Sequence, residues 1–291
     1  MTLAAADDLA QELVDTVLDF LHDDRASLFV TALVARKWVP ASRFHSFDCV
    51  ALTHFFTGRA NYLYKDSAHS FLELCRSPYC TITPAIQDVL LDIDTEKTPT
   101  LLEDLVAVLA QAPVSKLRFI DHTRSYQKPA ALSWMAESFP KLQNFSYTAL
   151  DRFMEDVYAL LARLPRLHSL SLSSCATDAA RNAITSHDES FSAPTPPFVH
   201  LRSVRIRLFA DQADEFMRWL GTCRHSVRLE TLEVETFHCY HNGWGPIGSL
   251  NAFLAANGQS LAHFGLCLRY EDDRAVDQRV LLLKHSEGER M

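Results

Sequence analysis

The sequence predicts an α/β chain: an N-terminal three-helix unit, then strand–helix units stacked as a solenoid, a horseshoe with a parallel sheet on its concave face. Three observations predict it. One apolar spacing recurs along most of the chain. Stretches with helical periodicity separate its occurrences. Glycine is scarce, 8 residues in 291, where average usage is roughly 7%. Phosphate-cradling loops and Gly-rich hinges need residues without a Cβ. A chain this poor in glycine has few places to build them.

The first segment has helical spacing. Leu9, Leu13, Val17 and Phe20/Leu21 recur at i, i+4, i+8 and i+11/12, one face of a 3.6-residue helix. Asp8 can cap it, with Gln11 three residues on. Asp23 and Asp24 break the pattern and can cap a second helix, carrying Leu28, Ala32 and Leu33 and ending near Arg36 and Lys37, where cations suit the C-terminal dipole. Trp38 follows, and Pro40 can open a third short helix containing Phe44. Three helices in so short a span bury little area alone, so their apolar faces seek the rest of the chain or a partner.

From Phe47 onward the spacing Φ-x-x-Φ-x-Φ (Φ, any apolar residue) takes over. It occurs at Val114/Leu117/Phe119, Leu142/Phe145/Tyr147, Leu167/Leu170/Leu172, Leu201/Val204/Ile206, Leu229/Leu232/Val234 and Leu261/Phe264/Leu266. Upstream, Ile86/Val89/Leu91 and Phe47/Val50/Leu52 fit it. Starts from Ile86 to Leu261 recur at a mean interval of about 29 residues, the scale of a repeat array. Helices are predicted between the matches over 101–110, 129–137, 151–164, 177–185, 211–220 and 249–256. Residues two apart on a strand face the same way, so the fourth and sixth motif positions point into the core. One such unit cannot bury its apolar face; stacked neighbours supply the missing side. Residues 185–200, with Pro194, Pro196 and Pro197, read as an exposed insertion. The tail 274–291 is a last strand or a capping helix covering the end of the array.

The repeat spacing resembles leucine-rich repeats. Their ninth position, Asn or Cys, is met by Cys175; elsewhere it is Asp94, His122, Leu150, Phe209, Phe237 and Arg269. The N-terminal segment resembles an F-box, in the run Leu9-Ala-Gln-Glu-Leu13-Val-Asp-Thr-Val17-Leu-Asp-Phe-Leu21 and in Leu33-Val-Ala-Arg-Lys-Trp38. Ala10 replaces the family's proline and Ala35 its cysteine. The stretch from Phe71 through Cys75 and Cys80 to Ile82 looks like an element of F-box proteins of mushroom-forming fungi. The resemblance implies an F-box over residues 1–46, a linker or cap with a first irregular repeat over 47–85, and a leucine-rich-repeat-like solenoid over 86–291. It further implies a substrate receptor of a cullin–RING ubiquitin ligase. The F-box docks on a Skp-type adaptor through Leu9, Leu13, Val17, Leu18, Leu33, Val34 and Trp38, as the face or its support, and the solenoid holds a target protein. The receptor does no chemistry and needs no cofactor. The alternative is an interaction scaffold whose helices merely cap the solenoid.

An enzyme reading rests on Gly243, Gly245 and Gly248, a G-x-G-x-x-G between a predicted strand and helix, with Glu271 beyond. Pro246 removes an N–H from the loop that would bind pyrophosphate. Asp92-Ile-Asp94 lacks the fifth residue of an aspartyl-phosphatase motif. Cys75/Cys80 and His238/Cys239/His241 lack a second ligand pair for zinc. Asp121-His122 is a neighbour pair, weak evidence for acid–base work. The formal net charge of -8 comes with no basic stripe, which disfavours nucleic acid. No apolar run approaches the roughly 20 residues of a membrane helix. Seven scattered cysteines are not a disulfide framework, and the N-terminus lacks a secretory pattern; an intracellular chain is expected.

Overall fold

The apolar spacing becomes a ladder in three dimensions. The computed structural model describes residues 9–54, 67–94, 98–122, 132–149, 154–174, 198–222, 227–238, 248–270 and 279–283. Its strands are β1 (Cys49–His54), β2 (Asp88–Ile93), β3 (Lys116–Asp121), β4 (Asn144–Ala149), β5 (Ser169–Ser174), β6 (Ser203–Phe209), β7 (Thr231–His238), β8 (His263–Tyr270) and β9 (Arg279–Leu283). They form one sheet in chain order, with β1 and β9 as its edges. The first eight strands are parallel, and β9 runs antiparallel to β8.

Register follows the motif. Val50, Val89, Leu117, Phe145, Leu170, Val204, Leu232 and Phe264 stand side by side across the eight strands. The sixth motif position makes a second row from Leu52 to Leu266. Both rows are buried from β1 to β7. On β8, Phe264 and Leu266 are only partly buried, and the strand beside them is the antiparallel β9.

The residue after the first motif position does equally regular work. The carbonyls of Asp48, Gln87, Ser115, Gln143, His168, Arg202 and Glu230 each accept two N–H groups from the start of the next strand. The pair Gln87 N and Asp88 N donates to Asp48 O at 2.9 and 2.8 Å, and the pattern repeats down the sheet. This backbone ladder satisfies the strand entries without any side chain. At the strand exits the ninth position varies: Asp94 is buried, while the Phe209 and Phe237 rings meet tilted, 6.1 Å between centroids.

Among the described residues, helices α4 (Ser67–Arg76), α5 (Pro99–Leu109), α6 (Leu132–Ser138), α7 (Met154–Leu161), α8 (Ala210–Gly221) and α9 (Gly248–Asn257) lie in the crossovers. Parallel crossovers keep one hand, so a strand order without reversal sets the described helices on one face of the sheet. Burial agrees over β2 to β6: residues of motif parity are buried except Ser174 at the end of β5, and the alternate residues are half-buried or exposed except Phe209 at the end of β6. The core between sheet and helices includes Leu102, Leu105 and Leu109 of α5 and Phe216 and Leu220 of α8.

The N-terminal unit has its own small cluster. Helices α1 (Gln11–Phe20), α2 (Arg25–Thr31) and α3 (Val39–Phe47), with a 3-10 turn at Arg36–Trp38, enclose Val14, Leu18, Leu28 and Trp38. Asp24 caps α2: Ser27 N donates to Oδ1 at 3.1 Å and Ser27 Oγ to Oδ2 at 2.6 Å. Pro40 sits in the first turn of α3. Asp8 lies outside the described residues, and α1 starts behind Ala10 with no side-chain cap. The second helix stops at Thr31 rather than near Lys37. A straight helix would carry Trp38 roughly 10 Å onward, at 1.5 Å per residue, away from the cluster it completes. The chain turns instead, and Trp38 folds back on Val14 and Leu18.

Within the described residues the predicted helices at 129–137 and 151–164 appear as α6 and α7, and residues 129–131 and 151–153 lie outside them. The predicted helix 177–185, the insertion up to residue 197 and the glycine loop up to residue 247 lie outside the described residues. Within the tail, residues 279–283 form a strand. No described helix is long and apolar enough to cross a membrane.

Candidate functional site

Helix α1 carries two apolar stripes, and the cluster uses one. Val14 and Leu18, four residues apart, are fully buried. The other stripe, Leu9, Leu13, Val17 and Phe20, faces solvent, with Leu13 56% and Phe20 84% exposed. Phe29 and Val30 on α2, and Leu33 and Val34 in the turn after it, are exposed as well, Leu33 at 85%. Nine of the twelve large apolar side chains that stand exposed among the described residues belong to this unit, from Leu9 to Phe44. Scattered exposed apolar residues are ordinary; a concentration in one small unit makes this face the candidate interaction surface among the described residues.

The structure divides the seven residues singled out from the sequence. Leu9, Leu13, Val17, Leu33 and Val34 are exposed, whereas Leu18 and Trp38 lie in the cluster beneath. The Lys37 ammonium donates to the carbonyl of Leu9 at 2.5 Å, tying the segment after Val34 to the start of α1. Phe20, Phe29 and Val30 were missing from the sequence-derived set. The i, i+4 pairs Phe29/Leu33 and Val30/Val34 are the signal that could have found two of them. Glu12, Asp15 and Asp19 rim the stripe on α1 and are exposed.

Neighbouring units position the face. α3 leads into β1 through Asp48, Phe47 packs against the sheet core, and Arg43 donates to the Thr81 hydroxyl. The His45 ring lies 3.0 Å from an Asp19 carboxylate oxygen, linking α3 to α1.

The chemistry-bearing pairs have structural surroundings. The β2–β3 register sets Ile93 beside Asp121, which brings Asp92 and His122 into a hydrogen bond. That bond holds the imidazole above its ordinary pKa against the opposing effect of burial, and the carboxylates of Asp92, Asp121 and Asp94 push the same way. Tyr147 donates to Asp121 at 3.5 Å. Burial, first, and the nearby Cys80 push the Cys75 thiol up to about 11, so it is not a thiolate nucleophile. Burial also opposes ionisation of Cys80, but hydrogen bonds centred on Ile82 and Thr83 bring its pKa below the ordinary value. Among the described residues no His, Cys, Asp or Glu cluster could hold a metal ion. Cys239 and His241 lie outside them.

No protein-family model matches the chain, and no curated protein matches it.

Proposed function

We propose that this chain is the substrate-recognition subunit of an SCF-type cullin–RING ubiquitin ligase. In this reading the N-terminal helices are an F-box that docks on a Skp-type adaptor. Leu9, Leu13, Val17, Leu33 and Val34 make the contact, and Leu18 and Trp38 hold the helices in place from below. The parallel sheet is the inner face of a leucine-rich-repeat-like horseshoe that holds a target protein. The observation that carries the proposal is the exposed apolar stripe on α1 and the α2 turn, set over a cluster that does not need it. Helix-in-groove docking uses such a stripe. Each buried Leu or Val anchor contributes roughly 1.5–3 kcal/mol.

Co-expression with a Skp-type adaptor tests it. The expected result is a stable 1:1 complex on a sizing column, abolished by Leu13→Asp. A wild-type chain that elutes alone at micromolar concentration removes the main support. The scaffold alternative draws on one observation: α3 leads into β1 and Phe47 joins the sheet core, as a cap would. It predicts no adaptor complex. A dinucleotide enzyme draws no support from the described strands, whose order runs without the reversal at which such cofactors bind.

A further inference from the structure

The sheet face opposite the helices carries charge in a fixed order across its strands. β2 presents Asp88 and Asp92, and β3 presents Lys116 and Arg118. β4 and β5 present Asn144, Ser146 and Thr148 beside Ser169, Ser171 and Ser173, with no charge among them. β6 presents Arg205 and Arg207, and β7 presents Glu233 and Glu235. The order is therefore acidic, basic, neutral, neutral, basic, acidic. It is symmetric about a lane of hydroxyls and one amide.

The ion pairs sharpen the pattern. Lys116 and Arg118 reach outward to Asp88, at 2.7 and 3.5 Å. Arg205 reaches outward to Glu233 at 2.6 Å, and Arg207 to Glu235 at 3.4 Å. All four cations therefore stand between their carboxylates and the lane. Their side chains stay 41–69% exposed despite the pairing. The partner carboxylates lie deeper, at 20–34% exposed, so the pairs stay formed and an incoming anion shares the cations' remaining solvent-facing N–H groups. A guanidinium presents several donors and can serve two acceptors at once. From β3 to β6 is three strand spacings, ~14 Å, wide enough for one extended chain. The lane's hydroxyls supply donors to that chain's carboxylates and backbone carbonyls.

We infer that the β3–β6 face binds an extended acidic segment of a protein, laid on the hydroxyl lane between Lys116/Arg118 and Arg205/Arg207. The segment's anions are carboxylates or phosphates, which guanidinium groups recognise alike. The inference names the chemistry of the target and rests on the receptor reading only in calling that ligand a target. The test uses the full chain without any adaptor, so its failure leaves adaptor docking untouched.

The probe is a fluorescent peptide of about eight glutamates, long enough to run the length of the lane, titrated by anisotropy at low salt. Binding should weaken as salt rises, because exposed charges are screened. Arg205→Gln with Arg207→Gln should weaken it by about tenfold or more. Glu233→Gln with Glu235→Gln should tighten it by about threefold, since the competing carboxylates are gone. The opposite signs of the two variants separate binding from misfolding, and circular dichroism checks each one. A peptide with phosphoserines replacing some glutamates distinguishes the sources. Tighter binding assigns phosphorylated segments, and equal binding assigns carboxylates. Absence of binding by both peptides overturns the inference. So does binding that ignores the arginine substitutions, equal affinity for a polylysine peptide, or tighter binding of a single-stranded oligonucleotide.

Discussion

The N-terminal helices and the sheet treat apolar side chains in opposite ways. In the sheet, from β1 to β7, both apolar rows are buried, and the alternate positions are polar or charged with few exceptions. In α1 the residues that bury are Val14 and Leu18, while a longer stripe stays in solvent. The sheet's apolar residues are used in packing each strand against its neighbours and against the helices. Those of the helices are left over after the cluster has closed. Apolar residues in the first region serve the fold; in the second, those outside the cluster are the ones the proposed docking uses.

The largest test of that contrast lies in the ladder. Phe119 is fully buried on β3, between Leu91 and Tyr147. Phe119→Ala should destabilise the sheet by about 3–5 kcal/mol, read as a lower urea midpoint. A loss under about 1 kcal/mol would mean that the sheet core collapses around the cavity, and the ladder would lose its stated role.

The next test sets the two stripes of α1 against each other. Leu18→Ala should cost about 2–5 kcal/mol in the helical unit, because it empties the centre of a small cluster. Leu13→Ala, one turn away on the outer stripe, should stay within about 0.5 kcal/mol. Equal costs would show that both stripes serve the fold, and the exposed face would then need no partner.

The ladder was legible in the sequence because period-two apolar pairs recur beside a fixed first residue, and stacking forces them into register. The doubled carbonyl of the second motif position was not, since it uses backbone alone and leaves no residue signature. On α1 the helix itself was legible, but which stripe faces inward was not. Val14/Leu18 and Leu9/Leu13/Val17 have the same spacing, and only the fold-back of Trp38 decides between them. The antiparallel turn of β9 was open because a short apolar run fits a strand or a helix equally. Asp92 and His122 are 30 residues apart, and the register that joins them exists only once β2 and β3 pair.

That last pair gives the smallest effect, and it distinguishes the sheet region by pH. The folded pKa of His122 is raised, chiefly by its hydrogen bond to Asp92. The folded state therefore holds the proton more tightly than the unfolded chain, whose histidine titrates near ~6.5. The stabilisation is fully present below that unfolded value and is lost as pH rises through the raised folded value. The N-terminal unit shows the reverse sense: Ser27 holds the Asp24 carboxyl below its ordinary range. Its contribution is present above the unfolded carboxylate value and is lost as pH falls through the lowered folded one. Urea midpoints measured from pH 6 to 9 should fall more for the wild type than for His122→Gln. Because the pair is partly exposed, with side chains 30% and 18% accessible, solvent screening keeps that difference modest. Parallel pH profiles for the two proteins would show that the bond to Asp92 does not raise the proton affinity of His122 in the folded sheet.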